Sequence, residues 1–224
     1  MRFCTKWVHA FALVTGIVLG STALGQEKKP DPSKPAAPDA KKDSGGKEGT
    51  PPGMTPEQAA EMAAAMKAGT PGAEHKNLEY MIGTWDVTLK LWMAPEAPAQ
   101  ESKGSSTAEW ILGGRYTRYT FTSDFMGMPF EGRGVTGYDN IEQKYFSIWL
   151  DNMSTHALKD SGTYDAATKT FNFVGEFKDA TGKTIKARNV IKVVSNDQHV
   201  MTFYHTEPGK PEQKVMELTY NRKK

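Results

Sequence analysis

The sequence predicts an all-β protein, an antiparallel up-and-down β-barrel of about ten strands, preceded by a short helical segment and a disordered linker. Three observations predict it. All twenty aromatic residues beyond residue 25 lie between Tyr80 and Tyr220, and the apolar residues of that span recur with a period of two. Turn signals break the span into short runs at near-even spacing, which leaves no room for crossover helices. The chain has 224 residues, 28 Lys+Arg against 26 Asp+Glu, 38% hydrophobic content and one cysteine. The formal charge of +2 comes from Arg2 and Lys6, so residues 26–224 are balanced. A nucleic-acid partner would call for a basic surface, so the balance disfavours that class and no nucleic acid is expected.

Residues 1–25 read as a signal peptide. Arg2 and Lys6 form a basic start, Ala10 to Gly20 an apolar core, and Ala23-Leu24-Gly25 a small-x-small cleavage site before Gln26. The apolar run falls short of the roughly 20 residues a membrane span needs, so no integral span is expected after cleavage. The expected location is exported, periplasmic or secreted. Cys4 leaves with the signal, which excludes disulfide scaffolds, thiolate metal sites and cysteine nucleophiles.

Residues 26–72 hold no aromatic residue and eight of the thirteen prolines, a composition that cannot offset the entropy of ordering it. A helix is predicted within it at 56–68. Thr55 serves as N-cap, Pro56 takes the first position, Gln58 closes a capping box, and Gly69 ends it. Met62 and Met66 share one face of that helix.

Residues 73–224 form the predicted barrel. A short helical turn around Glu74 to Tyr80 leads into strands at 85–92, 105–112, 115–125, 130–138, 144–151, 156–164, 170–178, 183–194, 199–206 and 213–222. One layer of ten strands either exposes two edges or closes, and closure removes the edges. Alternation turns Trp85, Val87, Leu89 and Leu91 inward on the first strand, with Phe171, Phe173 and Phe177 on the seventh. It does the same for Ile185, Ala187, Ile191 and Val193, for Met201 and Phe203, and for Met216, Leu218 and Tyr220. Lys186, Arg188 and Lys192 face water.

Several motifs have the letters of a known chemistry without its context. Gly132-x-Gly134-x-x-Gly137 has dinucleotide spacing, but the turn Tyr138-Asp139-Asn140 follows where a helix N-terminus would be needed. These glycines read as close backbone contacts in a barrel wall. Gly182-Lys183-Thr184 would place the first glycine of a phosphate loop on Phe177. His199 and His205 stand about 20 Å apart along a strand, too far to share a metal. Asn152-Met153-Ser154 matches a glycosylation sequon by pattern alone. Two inward positions break the apolar rule, Asn189 and His205. Trp149 and Asp151 add an indole and a carboxylate at a strand end, where Asp151 either meets a ligand or caps the next turn.

Three stretches together resemble a known family: Thr70-Pro71-Gly72-x-Glu74-His75-x-x-Leu78 running into Gly83-Thr84-Trp85; Leu112-Gly113-Gly114-Arg115; and Gly137-Tyr138-Asp139-Asn140, followed by Trp149-x-Asp151-x-x-x-Thr155 and Gly162-Thr163-Tyr164-Asp165. The set resembles the bacterial domain-of-unknown-function family numbered 1579, over about residues 70–224. That family is similar to the calycins, the lipocalin and fatty-acid-binding barrels. The resemblance implies a first-strand Trp packed beside a basic residue of the last strand, positions held here by Trp85 and Arg222.

The leading expectation is a barrel that binds a small, mainly apolar molecule. Phe173, Met201 and Trp149 would give apolar contact, with Asn189, Asp151 or His205 fixing the orientation. No cofactor is expected; haem is the alternative, with His205 or His156 as axial ligand. Two other readings compete: an envelope structural or adaptor module, and a small-molecule enzyme pairing Asp151 with His156 or His205.

Overall fold

The computed structural model describes residues 53–125 and 127–224. The segment read as a signal peptide, and residues 26–52 of the linker, lie outside the described residues. The chain divides between Lys67 and Ala68 into two compact units. Helix α1 (Pro56–Ala68) begins as a capping box: the Gln58 amide donates to Thr55 Oγ1 at 3.2 Å and the Thr55 amide donates to Gln58 Oε1 at 2.9 Å. Glu57 in its first turn and Lys67 in its last suit the helix dipole, and none of its residues is buried. Among the described residues no helix is long and apolar enough to cross a membrane.

The second unit opens with helix α2 (Ala73–Lys76) and a 3-10 turn (Glu79–Met81). Ten strands follow: β1 (Gly83–Leu91), β2 (Gln100–Ile111), β3 (Tyr116–Phe125), β4 (Met128–Asp139), β5 (Lys144–Asp151), β6 (Leu158–Asp165), β7 (Thr170–Lys178), β8 (Thr184–Ser195), β9 (Gln198–Thr206) and β10 (Gln213–Arg222). Each pairs antiparallel with its chain neighbours, and β10 pairs with β1, from Trp85↔Arg222 to Leu91↔Met216, to close the barrel.

β1 and β4 begin two residues earlier than the sequence expectation, β2 five residues earlier and β6 two residues later. β2 begins at Gln100 because its polar first half pairs with β1 through Lys90↔Glu101 and Thr88↔Lys103. Lys103 Nζ donates to Thr88 Oγ1 at 2.8 Å, so cross-strand polar pairs stand in for apolar alternation there. β6 begins at Leu158, and His156 stays in the preceding loop, where its carbonyl accepts from Ser154 Oγ.

The entry segment plugs one end. Leu78 is fully buried and packs with Tyr145, Phe171 and Phe173, while Tyr80 and Met81 lie against the same group. Tyr145 Oη donates to the Glu74 carboxylate at 2.8 Å, and Asn77 Nδ2 donates to Tyr145 Oη at 2.9 Å. Trp85 joins plug to wall, because its indole N–H donates to the Met81 carbonyl at 2.8 Å. The Arg222 guanidinium lies 4.2 Å from the centre of the Trp85 ring and donates to the Ile82 and Asn196 carbonyls. Gly83 has φ +125°, which favours glycine, and a Cβ there would push the Arg222 guanidinium from its place.

Trp85 is 1% exposed and joins three elements. Trp85→Ala is expected to cost about 3–5 kcal/mol of unfolding free energy, read as a fall in the urea midpoint. Arg222→Met, which removes the cation–π contact and the carbonyl bonds while keeping much of the packing volume, is expected to cost less.

Candidate functional site

Inside the barrel, β4 presents bare backbone. Gly132 and Gly134 face inward, and a Cβ at Gly132 would lie 2.0 Å from Trp149 Cζ2, one at Gly134 2.1 Å from Tyr119 Cζ. The two rings therefore rest on the main chain of β4 and stack on each other, 5.8 Å apart at 24°. Phe130 continues the stack 6.5 Å from Trp149. The Gly-x-Gly spacing serves ring packing. β4 runs on into a turn capped by Asp139 Oδ1, which accepts the Ile141 and Glu142 amides.

A cavity of about 220 Å³ occupies the lumen. It extends from Tyr80, Met81 and His199 beside the plug to Leu91, Trp92 and Asp151 at the other end of the strands. All six residues singled out as ligand contacts line it: Trp149, Asp151, Phe173, Asn189, Met201 and His205. Phe173 is 2% exposed, and Met201 packs against the cluster of Trp85, Val87, Leu89, Phe121 and Leu218.

Asp151 caps a turn. Its Oδ1 accepts the Met153 amide at 3.0 Å, and its Oδ2 accepts the Trp149 indole N–H at 3.1 Å, which also fixes that ring. His156 does not line the cavity; it stacks on Phe177 with ring centres 6.0 Å apart. Asp151 and His205 share the lumen, whereas Asp151 and His156 do not. His205 sits against Phe177 and Phe203 at 5.0 and 4.9 Å, and burial lowers its pKa to about 4. Its imidazole is neutral at pH 7.

A further histidine and a further carboxylate face the lumen. His199 is caged by Tyr80, Trp85 and Tyr220, and its pKa falls to about 3 through burial, with a smaller push from Arg222. Asp160 on β6 is 7% exposed and accepts from Asn189 Nδ2 at 2.6 Å through Oδ2. Burial raises its pKa to about 6 against the opposing effect of that hydrogen bond. Room for the carboxylate comes from Gly175, where a Cβ would sit 2.2 Å from Asp160 Oδ1. The signal for Asp160 lay in parity: Leu158 and Gly162, two residues either side, are both buried.

Among the described residues, the buried side-chain polar atoms without a hydrogen-bond partner are Asp160 Oδ1, Asn189 Oδ1, His199 Nδ1 and His205 Nε2. All four belong to residues that line the cavity. Orphaned buried polar atoms cost on the order of 1–3 kcal/mol each, so the gathering of four such residues around one apolar hollow makes it the candidate site. Among the described residues no three His, Cys, Asp or Glu side chains gather as a metal site.

A closed ten-stranded up-and-down barrel with a small hollow in its lumen places the protein among the calycin-like barrels. The chain belongs to the family of proteins of unknown function DUF1579, whose model matches residues 70–222. Among solved structures it is similar to Rv2717c from M. tuberculosis, with 14% identity, coverage of 69% of this chain and 100% of that chain, and a TM-score of 0.51. It is also similar to the S-type phycobiliprotein lyase CPES from Guillardia theta, with 14% identity, 71% and 97% coverage, and a TM-score of 0.49. The first of these likenesses supports the fold. Comparison with curated proteins finds no match.

Asp160 makes stability depend on pH in a defined direction. A carboxyl whose folded pKa is raised stabilises the fold when protonated; that contribution is full below about 3.9 and is lost as pH rises through about 6. The two buried histidines work the other way, present above about 6.5 and lost as pH falls toward their folded values. They cancel when a variant is compared with the parent. Asp160→Asn is therefore expected to raise the unfolding free energy by on the order of 2 kcal/mol at pH 8 and to change it little near pH 4. Urea titrations at the two pH values check this; equal effects at both would show that the carboxylate is solvated in the fold.

Proposed function

We propose that the protein is an exported binding barrel that holds one small, mainly apolar molecule in its lumen. The observation that carries this reading is the hollow itself, about 220 Å³ left unfilled by side chains and lined by the residues that hold the orphaned polar atoms. For scale, an engineered apolar cavity of about 150 Å³ takes up benzene, and drug-sized pockets run from about 300 Å³ upward. The size suits a compact body of one or two rings. A haem macrocycle exceeds it, and His156 stands outside the lining. The plug closes one end, so the ligand enters past Leu91, Trp92 and Asp151.

Methionine methyl groups report on this directly. Met81, Met201 and Met216 line the cavity, whereas Met62 and Met66 lie on α1. In the full chain labelled with ¹³C-methyl methionine, titration with 2-phenylethanol is expected to shift the first three signals and leave the α1 pair in place. Met201→Trp, which puts an indole into the hollow, is expected to weaken that binding at least tenfold with an unchanged far-UV circular dichroism spectrum. A lumen that admits no probe from a panel of small arenes, fatty acids and haem would end the proposal.

Export is the second half of the reading and rests on the basic start, apolar core and Ala23-Leu24-Gly25 of the sequence. Protein recovered from a bacterial host's envelope or medium is expected to begin at Gln26 by mass. An uncleaved chain in the cytoplasm would refute it.

A further inference from the structure

We infer that the lumen ligand carries a protonated amine, seated between the Asp160 carboxylate and the Asn189 side-chain carbonyl, with its apolar body along Phe173, Met201 and the Trp149 ring. This rests on the lumen-binding reading and names the chemical class of its ligand.

The charges of the cavity point one way. Its lining carries two carboxylates, Asp151 and Asp160, and among the described residues no Lys or Arg. The two histidines on its wall are neutral, so neither serves as an internal counter-ion. Asp151 has both oxygens engaged by its own chain, whereas Asp160 has one oxygen spent on Asn189 and the other buried without a partner. Asp160 is also more than nine-tenths buried, where a carboxylate without a cation is expensive. Lys159, Lys186 and Arg188 share an outer cleft with Asp160, but none forms an ion pair with it; Arg188 is bound to Glu212 and lies over Tyr204.

The hydrogen-bond inventory narrows the class further. An ionised Asp160 only accepts, so the Asn189 amide must turn its NH₂ toward it, and this leaves the amide oxygen bare. Two unpartnered buried acceptors, Asp160 Oδ1 and Asn189 Oδ1, then belong to one hydrogen-bonded pair with no donor of the chain to meet either. An ammonium group brings three donors and the missing charge together. A hydroxyl brings one donor and no charge, and a carboxylate brings neither and is repelled. The aromatic faces of Phe173, Trp149 and Tyr119 in the same lining favour a cation over an anion.

The test uses the full chain at pH 7.5 with three probes of one shape: 2-phenylethylamine, 2-phenylethanol and phenylacetate. Affinity is read by calorimetry, and the site by the methyl shifts of Met81, Met201 and Met216. The amine is expected to bind at least tenfold more tightly than the alcohol, and the acid more weakly than both. Asp160→Asn, nearly isosteric, is expected to abolish the preference, so that amine and alcohol bind the variant to within about twofold of each other. Alcohol binding equal to or tighter than amine binding in the parent protein overturns the inference and leaves the lumen reading standing. A variant that keeps the full amine preference overturns it too. Failure of all three probes to move the lumen methionines overturns both readings, and the parent comparison stands even if the variant does not fold.

Discussion

The structure depends on one constraint: the last strand must return to the first in register, because ten strands in a single layer otherwise end in two bare edges. Trp85 and Arg222 sit at that seam. The indole is tied to the plug through Met81, and the guanidinium caps it while holding the Ile82 and Asn196 carbonyls. Closure thus fastens three separate parts of the chain at one point, the entry segment, β1 and the C-terminal strand. Once the ring is shut, the two faces of every strand are no longer equivalent, and the period-two pattern acquires its meaning as lumen against solvent.

What leaves a hollow in that lumen is the distribution of side-chain bulk along the wall. Gly132 and Gly134 place two bare positions on β4, and the rings of Tyr119 and Trp149 settle onto them instead of reaching across the barrel. On the other side Gly175 gives Asp160 the room in which to bury its carboxylate. Glycine lowers strand stability through entropy and lost packing, so three such positions facing aromatic or polar partners mark places where shape outranks intrinsic preference. The plug end needs no such allowance: Leu78, Tyr145 and Phe171 fill it to the point of near-zero exposure.

The period of two made the strands legible in the sequence, along with the closure and the faces of β1, β7, β8 and β10. Asn189 and His205 stood out because apolar residues flank them at the same parity, Ala187 and Ile191 around one, Phe203 beside the other. Asp160 did not, although it lies within a predicted strand, since its inward neighbour Gly162 has no side chain to announce a face. His199 shares the parity of Met201, Phe203 and His205 on β9, so alternation already placed it inward. The first half of β2 was hidden for a different reason: its partners are matched by charge and hydroxyl pairs, which leave no hydrophobic rhythm. Asp151 carried two meanings in the sequence, and the hydrogen bonds from Met153 and Trp149 show that the turn cap is the one realised.

The placement of cations gives the clearest reason to treat the lumen as a site rather than a packing remnant. The chain turns Lys186, Arg188 and Lys192 outward from β8 while Asn189, between them, faces the buried Asp160. An inward Lys or Arg would neutralise that carboxylate, and its long side chain would also fill the hollow. A fold selected for stability alone gains nothing by leaving Asp160 half-satisfied, because an unpaired buried charge is among the costlier features a core can hold. On the proposed reading a cationic ligand supplies the counter-charge, as a proton does when the pH falls below about 6. Such a ligand binds the folded chain and not the unfolded one, so it stabilises the barrel in proportion to the logarithm of its concentration over its dissociation constant. Stability of the folded protein and occupancy of its lumen are, on this account, two measures of the same interaction.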